Sequence, residues 1–113
     1  MKNIIVATLS LLLSTNAFAC YDDKSLSIED GFDNCLVEAE QGVAVTQHFT
    51  GIAYEYGIGS AQDHKSAHMW FNIAAANGYS GAVENRDIVA KKMTPSQIEK
   101  AQDMAREWMA KHQ

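Results

Sequence analysis

The sequence of 113 residues is poor in basic residues and in cysteine. It has 9 lysines and arginines against 14 acidic residues, a net charge of −5. This balance argues against a nucleic-acid-binding protein, because that class needs a basic face. Two cysteines cannot complete a four-ligand zinc site by themselves. The hydrophobic fraction of 47% argues against general disorder, and the length is that of one domain.

Motifs of common enzymes and nucleotide-binding proteins are also missing. The sequence has no Gly-x-Ser-x-Gly motif that would support nucleophilic catalysis. The Gly-x-Gly at 57–59 follows no predicted strand, and no lysine stands at P-loop spacing after it. We therefore predict a protein that is not an enzyme and that holds no cofactor.

Three histidines favour a different function. His64 and His68 are four residues apart, a helical spacing that can place two imidazoles on one metal ion. His48 would add a ligand if the fold brings it close. The alternative function is therefore a small envelope protein that binds a metal or hydrolyses a substrate through these histidines. Because a complete ligand set is not evident, the main expectation is that there is no metal site.

Residues 1–19 are typical of a secretory signal peptide. Lys2 supplies the positive start, an apolar run follows at 4–13, and the Ala-Phe-Ala at 17–19 fits a cleavage site. The run is too short to span a bilayer, so we expect no membrane span after cleavage. The mature domain would then comprise 20–113 and reside in the periplasm or outside the cell.

Export would place Cys20 and Cys35 in an oxidising compartment, where they form the only intramolecular pair available. Their disulfide would stabilise the domain by about 3 kcal/mol. Two alternatives remain open: Cys35 is buried and reduced while Cys20 is free, or Cys20 carries a lipid. Bacterial lipoproteins usually have leucine and a small residue where this chain has Ala17 and Phe18, which disfavours the lipid anchor.

Hydrophobic periodicity predicts helices and no strand. The predicted helices are 27–40, 44–56, 63–78, 80–94 and a last one that starts at Thr94. The last helix begins with Thr-Pro-Ser-Gln, a capping box with proline at the first helical position. Short connections predict that consecutive helices are antiparallel neighbours. Residues 38–42 match 74–78 at an offset of 36, which is typical of stacked helical hairpins.

One stretch combines small, aromatic and glycine residues in a defined order. Residues 50–59 read Thr-Gly-Ile-Ala-Tyr-Glu-Tyr-Gly-Ile-Gly, and the characteristic positions after them are Asp63, Ala67, Trp70, Phe71, Ala74, Ala75 and Gly78. This order resembles the Sel1-like repeat, a relative of the tetratricopeptide repeat, and covers one complete repeat at about 43–78. The flanking segments resemble partial repeats, and the last helix would cap the array.

The resemblance includes departures. Thr50 stands where the family usually has leucine, and Asn34 and Cys35 occupy the places that Trp70 and Phe71 have one repeat later. The resemblance implies an all-α fold, a short α-solenoid of antiparallel helix pairs with a C-terminal capping helix. It also implies a non-enzymatic module for protein–protein contacts, with an unidentified protein partner.

The second predicted helix is apolar on two faces. One face carries the packing positions of the repeat, and the other joins Val45, Phe49, Ile52 and Tyr56 at i, i+4, i+7 and i+11. Either the neighbouring helices cover both faces, or part of the second stays open for a partner or a second copy in a homodimer. The partner-binding candidates are Val45, His48, Phe49, Ile52, Glu55 and Tyr56.

Overall fold

Five helices follow one another in the part of the chain that the computed structural model describes, which comprises Cys20 and residues 27–113. They are α1 (Ile28–Glu40), α2 (Ala44–Tyr56), α3 (His64–Ala76), α4 (Ala82–Ala90) and α5 (Pro95–Lys111). This part contains no strand, so the predicted all-α fold is confirmed. None of its helices has the length and apolarity needed to cross a membrane. The predicted signal peptide lies outside the described residues.

Side-chain caps fix the starts of three helices. The Ser27 hydroxyl accepts a hydrogen bond from the Asp30 backbone N–H, and the Asp63 carboxylate accepts one from Ser66. Thr94 and Gln97 form the predicted capping box, with each side chain accepting from the backbone N–H of the other. Each cap satisfies N–H groups that have no partner inside the helix, which explains why these starts could be predicted from local sequence.

The predicted bounds are wrong for α4, which is shorter than 80–94. Gly81 caps its start in the left-handed conformation at φ 92°, so the helix begins only at Ala82. At the other end, the backbone N–H groups of Lys92 and Met93 bond to the carbonyls three residues earlier, at 2.9 and 3.1 Å. This tighter turn replaces the α-helical pattern ahead of the proline that starts α5.

The first three helices are consecutive antiparallel neighbours. At one end of the α1–α2 pair, the rings of Phe32 and Tyr54 meet edge to face, with centroids 5.1 Å apart. At the other end, the buried Gln47 donates from Nε2 to the Ala39 carbonyl at 3.0 Å. Gln47 also accepts from Asn77 Nδ2 at 2.8 Å, which places the start of α2 beside the end of α3. One buried amide therefore joins three helices.

The last helix departs from the predicted pattern of antiparallel neighbours, because α5 packs chiefly against α3 and not against α4. The indole rings of Trp70 and Trp108 meet with centroids 5.5 Å apart. Gln97, near the start of α5, shares a surface cleft with residues 62–65 at the start of α3. Met109 lies beside the end of α3. The two helices therefore run parallel, as expected for equivalent helices of successive hairpins.

Two apolar clusters on the faces of α3 form the core. The first cluster has four fully buried members, which are Ala39, Trp70, Ile73 and Ala105. The second cluster joins Ala67, Phe71 and Val89. Helix α3 thus lies at the centre of the domain and contacts α2, α4 and α5, which accounts for the dense Ala-Trp-Phe-Ala pattern in its sequence.

The 36-residue offset in the sequence corresponds to a repeated turn. Gly42 and Gly78 both have a positive φ, 96° and 89°, and the N–H of each bonds to the carbonyl three residues earlier at 3.0 Å. Each glycine ends a helix in a conformation that side chains with a Cβ rarely adopt. The same backbone turn therefore closes α1 and α3, and the sequence repeat is a structural repeat.

Gly59 permits the loop after α2 to touch α1, and we expect Gly59→Ala to be more damaging than Gly78→Ala. Both glycines have a positive φ, at which alanine costs about 1–2 kcal/mol. A Cβ at residue 59 would also lie 2.5 Å from the Ile28 carbonyl oxygen and 2.8 Å from the Phe32 Cβ, whereas one at residue 78 meets nothing within 4 Å. Displacing α1 should add roughly 1–3 kcal/mol.

Urea unfolding followed by circular dichroism measures both losses. A larger loss for Gly59→Ala supports the close approach of loop and helix. Equal losses would show that only the left-handed conformation requires glycine at residue 59.

Candidate partner-binding surface

The outer face of α2 is an apolar stripe that the other helices cover only in part. We call Val45, Phe49, Ile52 and Tyr56 the α2 stripe. The first three are half-buried and Tyr56 is 62% exposed. The remaining faces of α2 are covered by α1 and α3, because Thr46, Thr50, Gly51 and Ala53 are buried. The stripe is therefore covered in part, with Ile52 packed against the second core cluster, and it is exposed chiefly at Tyr56.

His48 is placed at the edge of the stripe but turned into the protein. It is only 8% exposed, and its Nε2 lies 2.7 Å from Asn85 Nδ2 on α4. Its ring stacks on Tyr79 with centroids 4.5 Å apart and contacts Phe71 at 5.5 Å. Burial lowers the pKa of His48 from its usual 6.5, since the imidazolium would lose hydration there. His48 thus joins α2 to α4.

Glu55 is likewise buried, at 2% exposed, although the sequence places it among the partner-binding candidates. Its Oε2 lies 3.5 Å from Nζ of Lys92, whose side chain is half-exposed. The same Nζ lies 5.8 Å from the centroid of the Tyr56 ring. The α2 stripe therefore ends beside Lys92, which the buried Glu55 carboxylate holds next to Tyr56.

Helix α4 extends the α2 stripe sideways. The contacts of His48 with Asn85 and of Glu55 with Lys92 show that α2 and α4 lie side by side. Ile88 is one turn after Asn85 on the same face of α4, and it is 47% exposed. The sequence reasoning missed Ile88, because the short α4 has only weak amphipathic periodicity.

The structure does not group the three histidines of the alternative function. His48 bonds to α4, whereas His68 is 2% exposed on α3, and His64 borders the cleft at the start of that helix. Among residues 27–113 and Cys20, no three His, Cys, Asp or Glu side chains lie close enough to hold a metal ion. The pKa of His68 is lowered by burial and then by the Arg86 guanidinium, with Asp87 acting in the opposite direction.

Cys20 and Cys35 are joined in a disulfide, with their Cα atoms 4.9 Å apart. Both are buried, at 2% and 0% exposed. Cys35 stands 36 residues before Phe71, and both side chains are fully buried at equivalent places of the repeat. The disulfide thus occupies a core position that an aromatic ring fills one repeat later.

A concave surface lies where the ends of α1, α3 and α5 meet. We call this 610 Å³ hollow the bundle-end cavity, and its lining includes Glu40, Gly42, Ala76, Trp108, Met109 and His112. Trp108 Nε1 donates to Glu40 Oε2 at 3.0 Å across the cavity. These two residues are far apart in the sequence, and no sequence pattern pairs them.

Comparison with known structures identifies the repeat. The chain is similar to the crystal structure of c5321, with a TM-score of 0.77. That protein is a protective antigen present in uropathogenic Escherichia coli strains, and it displays an SLR (Sel1-like repeat) fold. The identity is 27% over 88% of this chain. The chain has the Sel1-like repeat fold. It spans 22% of the length of c5321, so the similarity covers only part of that protein. No family model and no curated protein matches the chain.

The buried histidines should make this protein less stable as the pH falls from 6.5. Because the folded pKa values of His48 and His68 lie below 6.5, the unfolded chain binds protons first. The free energy of unfolding therefore has its full value above pH 6.5 and decreases on acidification. Each histidine contributes a slope of at most about 1.4 kcal/mol per pH unit.

Urea unfolding across this pH range measures the slope. His48→Gln and His68→Gln should each flatten it, whichever way they change the stability at neutral pH. A wild-type stability that is constant down to pH values well below 6.5, where unfolded histidine is charged, would contradict the prediction.

Proposed function

We propose that this Sel1-like repeat protein is an exported, non-enzymatic module that binds another protein through the α2 stripe together with Ile88 of α4. The observation that carries the proposal is the partly exposed apolar face of α2, on a helix whose other faces are buried. Contiguous apolar surface on a small domain is costly unless something covers it. The Sel1-like repeat supports a protein partner in general, and it does not identify that partner.

A positive charge lies at one end of the apolar surface. Tyr56 and Lys92 form one end of the stripe, with the ammonium 5.8 Å from the ring centroid. Aromatic anchors surrounded by polar groups are typical of the residues that contribute most to protein interfaces. We therefore infer that Tyr56 is the anchor and that a partner places an apolar side chain along Phe49 and Ile52.

Export is supported by the disulfide and by the signal-like sequence at 1–19. The proposed mature protein is a single domain, 20–113, located in the periplasm or outside the cell. Intact mass spectrometry of exported protein tests this proposal. The expected species starts at Cys20 and is lighter than the reduced chain by two hydrogens. A chain that keeps residues 1–19 would contradict the proposed cleavage, whereas a diacylglyceryl adduct or two free thiols would contradict the disulfide.

Site-specific photocrosslinking tests the surface. A p-benzoylphenylalanine at Tyr56 is compared in living cells with the same residue at Gln102, which is exposed on α5. We expect a defined adduct from residue 56 and none from residue 102. An adduct with twice the mass of the chain would identify a second copy as the partner.

The identified partner then allows a binding measurement with purified components. Tyr56→Asp should weaken the affinity by roughly tenfold or more, since it removes an aromatic anchor. Val83→Asp is the matched control, because Val83 is also an exposed apolar residue, at 46%. Equal effects of the two variants, or equal adducts from residues 56 and 102, would show that the α2 stripe is not the binding surface.

A further inference from the structure

The bundle-end cavity lies at the C-terminal ends of three helices that run in the same direction. Helix α1 ends at Glu40, α3 at Ala76 and α5 at Lys111. Residues from all three ends line the cavity. The last carbonyl groups of a helix have no partner within it, and the aligned peptide dipoles give this end a partial negative charge of about half an elementary charge. The carbonyls of Ala39, Ala75 and Trp108 near these ends already accept capping hydrogen bonds. What the three ends present to the hollow is therefore the negative end of each helix dipole.

Few basic side chains stand near this negative potential, and one of them is His112, the C-cap residue of α5, which contacts Glu40. The last turns of α1 and α3 contain no basic residue, and that of α5 contains only Lys111. Lysine and arginine are the residues that usually stabilise helix C-termini. The lining residues include no lysine or arginine, and they add the formal negative charge of Glu40.

The Glu40 carboxylate is held in place at the rim of the cavity. Its Oε2 accepts from the Trp108 indole at 3.0 Å and lies 3.6 Å from Nε2 of His112. The His112 ring stacks on Trp108 with centroids 3.8 Å apart and bonds through Nδ1 to the Trp108 carbonyl, at 2.7 Å. A carboxylate has about four acceptor sites, and this one is 47% exposed, so it retains capacity for a further donor.

The remaining lining suits a side chain with an apolar stem. Ala76, Trp108 and Met109 supply carbon and sulfur surface beside the charged rim. A volume of 610 Å³ lies within the range of pockets that bind small ligands. Arginine and lysine combine an apolar stem with a cationic head, so they match both parts of this surface.

We propose that the bundle-end cavity binds an arginine or lysine side chain of a peptide segment in a partner protein. The cationic head lies against the Glu40 carboxylate, at the negative ends of the three helix dipoles, and the stem lies along Trp108 and Met109. This site is separate from the α2 stripe, so the two proposals stand or fall independently.

Nuclear magnetic resonance of the two tryptophan indoles tests the proposal. The probe is the peptide acetyl-Gly-Arg-Gly-amide, and the control is the same peptide with uncharged citrulline in place of arginine. The Trp108 Nε1–H lies in the cavity, whereas Trp70, the second of the two tryptophans in the chain, is 2% exposed in the core. We expect a saturable shift of the Trp108 signal with the arginine peptide and a smaller or absent shift with citrulline.

Two variants that each remove one negative charge test whether the peptide binds at Glu40. Glu40→Gln keeps an acceptor for the indole but removes the negative charge. It should weaken the affinity for the arginine peptide by roughly tenfold. Glu38→Gln makes the same change on the same helix, where Glu38 accepts from Thr46 on α2, and it should leave binding unchanged. The amide spectrum of each variant reports whether it folds.

Three outcomes would overturn the proposal. The first is no saturable shift with the arginine peptide. The second is equal binding of the citrulline peptide, which would show that the cationic charge is not recognised. The third is an equal loss of affinity in Glu40→Gln and Glu38→Gln, which would show that the peptide responds to the net charge of the protein and not to Glu40.

Discussion

Phe71→Ala should lower the free energy of unfolding by about 3–5 kcal/mol, because it removes a fully buried aromatic ring from the second core cluster. A domain of this size has a total stability of about 5–15 kcal/mol. The variant should therefore unfold at a much lower urea concentration and bring the domain close to complete unfolding. Urea titration followed by circular dichroism measures the difference.

Gly51 provides an internal control for this prediction. A Cβ at residue 51 would lie 2.6 Å from two carbons of the Phe71 ring, so Gly51→Ala should destabilise the wild-type protein by about 1–3 kcal/mol. Once Phe71 is alanine, the added methyl group has room. Alanine is also preferred to glycine inside a helix by roughly 0.5–1 kcal/mol.

The effect of Gly51→Ala should therefore change sign between the two backgrounds. It should be destabilising in the wild type and neutral or stabilising with Phe71→Ala, which is strong coupling between neighbours. Additive losses in the double variant would show that the glycine and the ring are not in direct steric contact.

Loss of the Cys20–Cys35 disulfide should also have a large effect. The bond closes a loop with a sequence separation of 15, for which the chain-entropy model gives about 3 kcal/mol. At roughly 4–8 °C for each kcal/mol in a domain of this size, the melting temperature should fall by about 12–24 °C. Helix α1 carries acidic residues along its length, so its attachment depends strongly on the covalent link.

Thermal unfolding of the wild type with and without a reducing agent measures this effect. Cys20→Ser removes the same bond without replacing the fully buried Cys35, and its melting temperature should not respond to the reducing agent. An unchanged melting temperature of the wild type after verified reduction would show that noncovalent packing alone holds α1.

Local sequence signals predicted those parts of the molecule that depend on neighbouring residues. The caps at Ser27, Asp63 and Thr94 mark three helix starts, since a cap needs only residues within one turn. The same holds for the glycine turns that end α1 and α3. The bounds of α4 could not be read in this way, because Gly81 and the tight turn before Pro95 shorten a weakly amphipathic segment.

The candidate partner surface was predicted in part. The α2 stripe follows from periodicity, which shows that a face is apolar but not which residues lie on its border. Only the packing of α4 beside α2 decided that His48 and Glu55 are buried, because their partners Asn85 and Lys92 are 37 residues further along the chain. The same packing places Ile88 beside the stripe.

By itself, the sequence determined the all-helical repeat and the pair of cysteines available for a disulfide. These features depend on the 3.6-residue period, on the repeat offset and on cysteine count. The tertiary structure alone decided that α5 packs in parallel on α3 and that Glu40 meets Trp108 in the bundle-end cavity. Periodicity specifies which face of a helix is buried, whereas the choice of the helix that covers it depends on how all five apolar faces fit together.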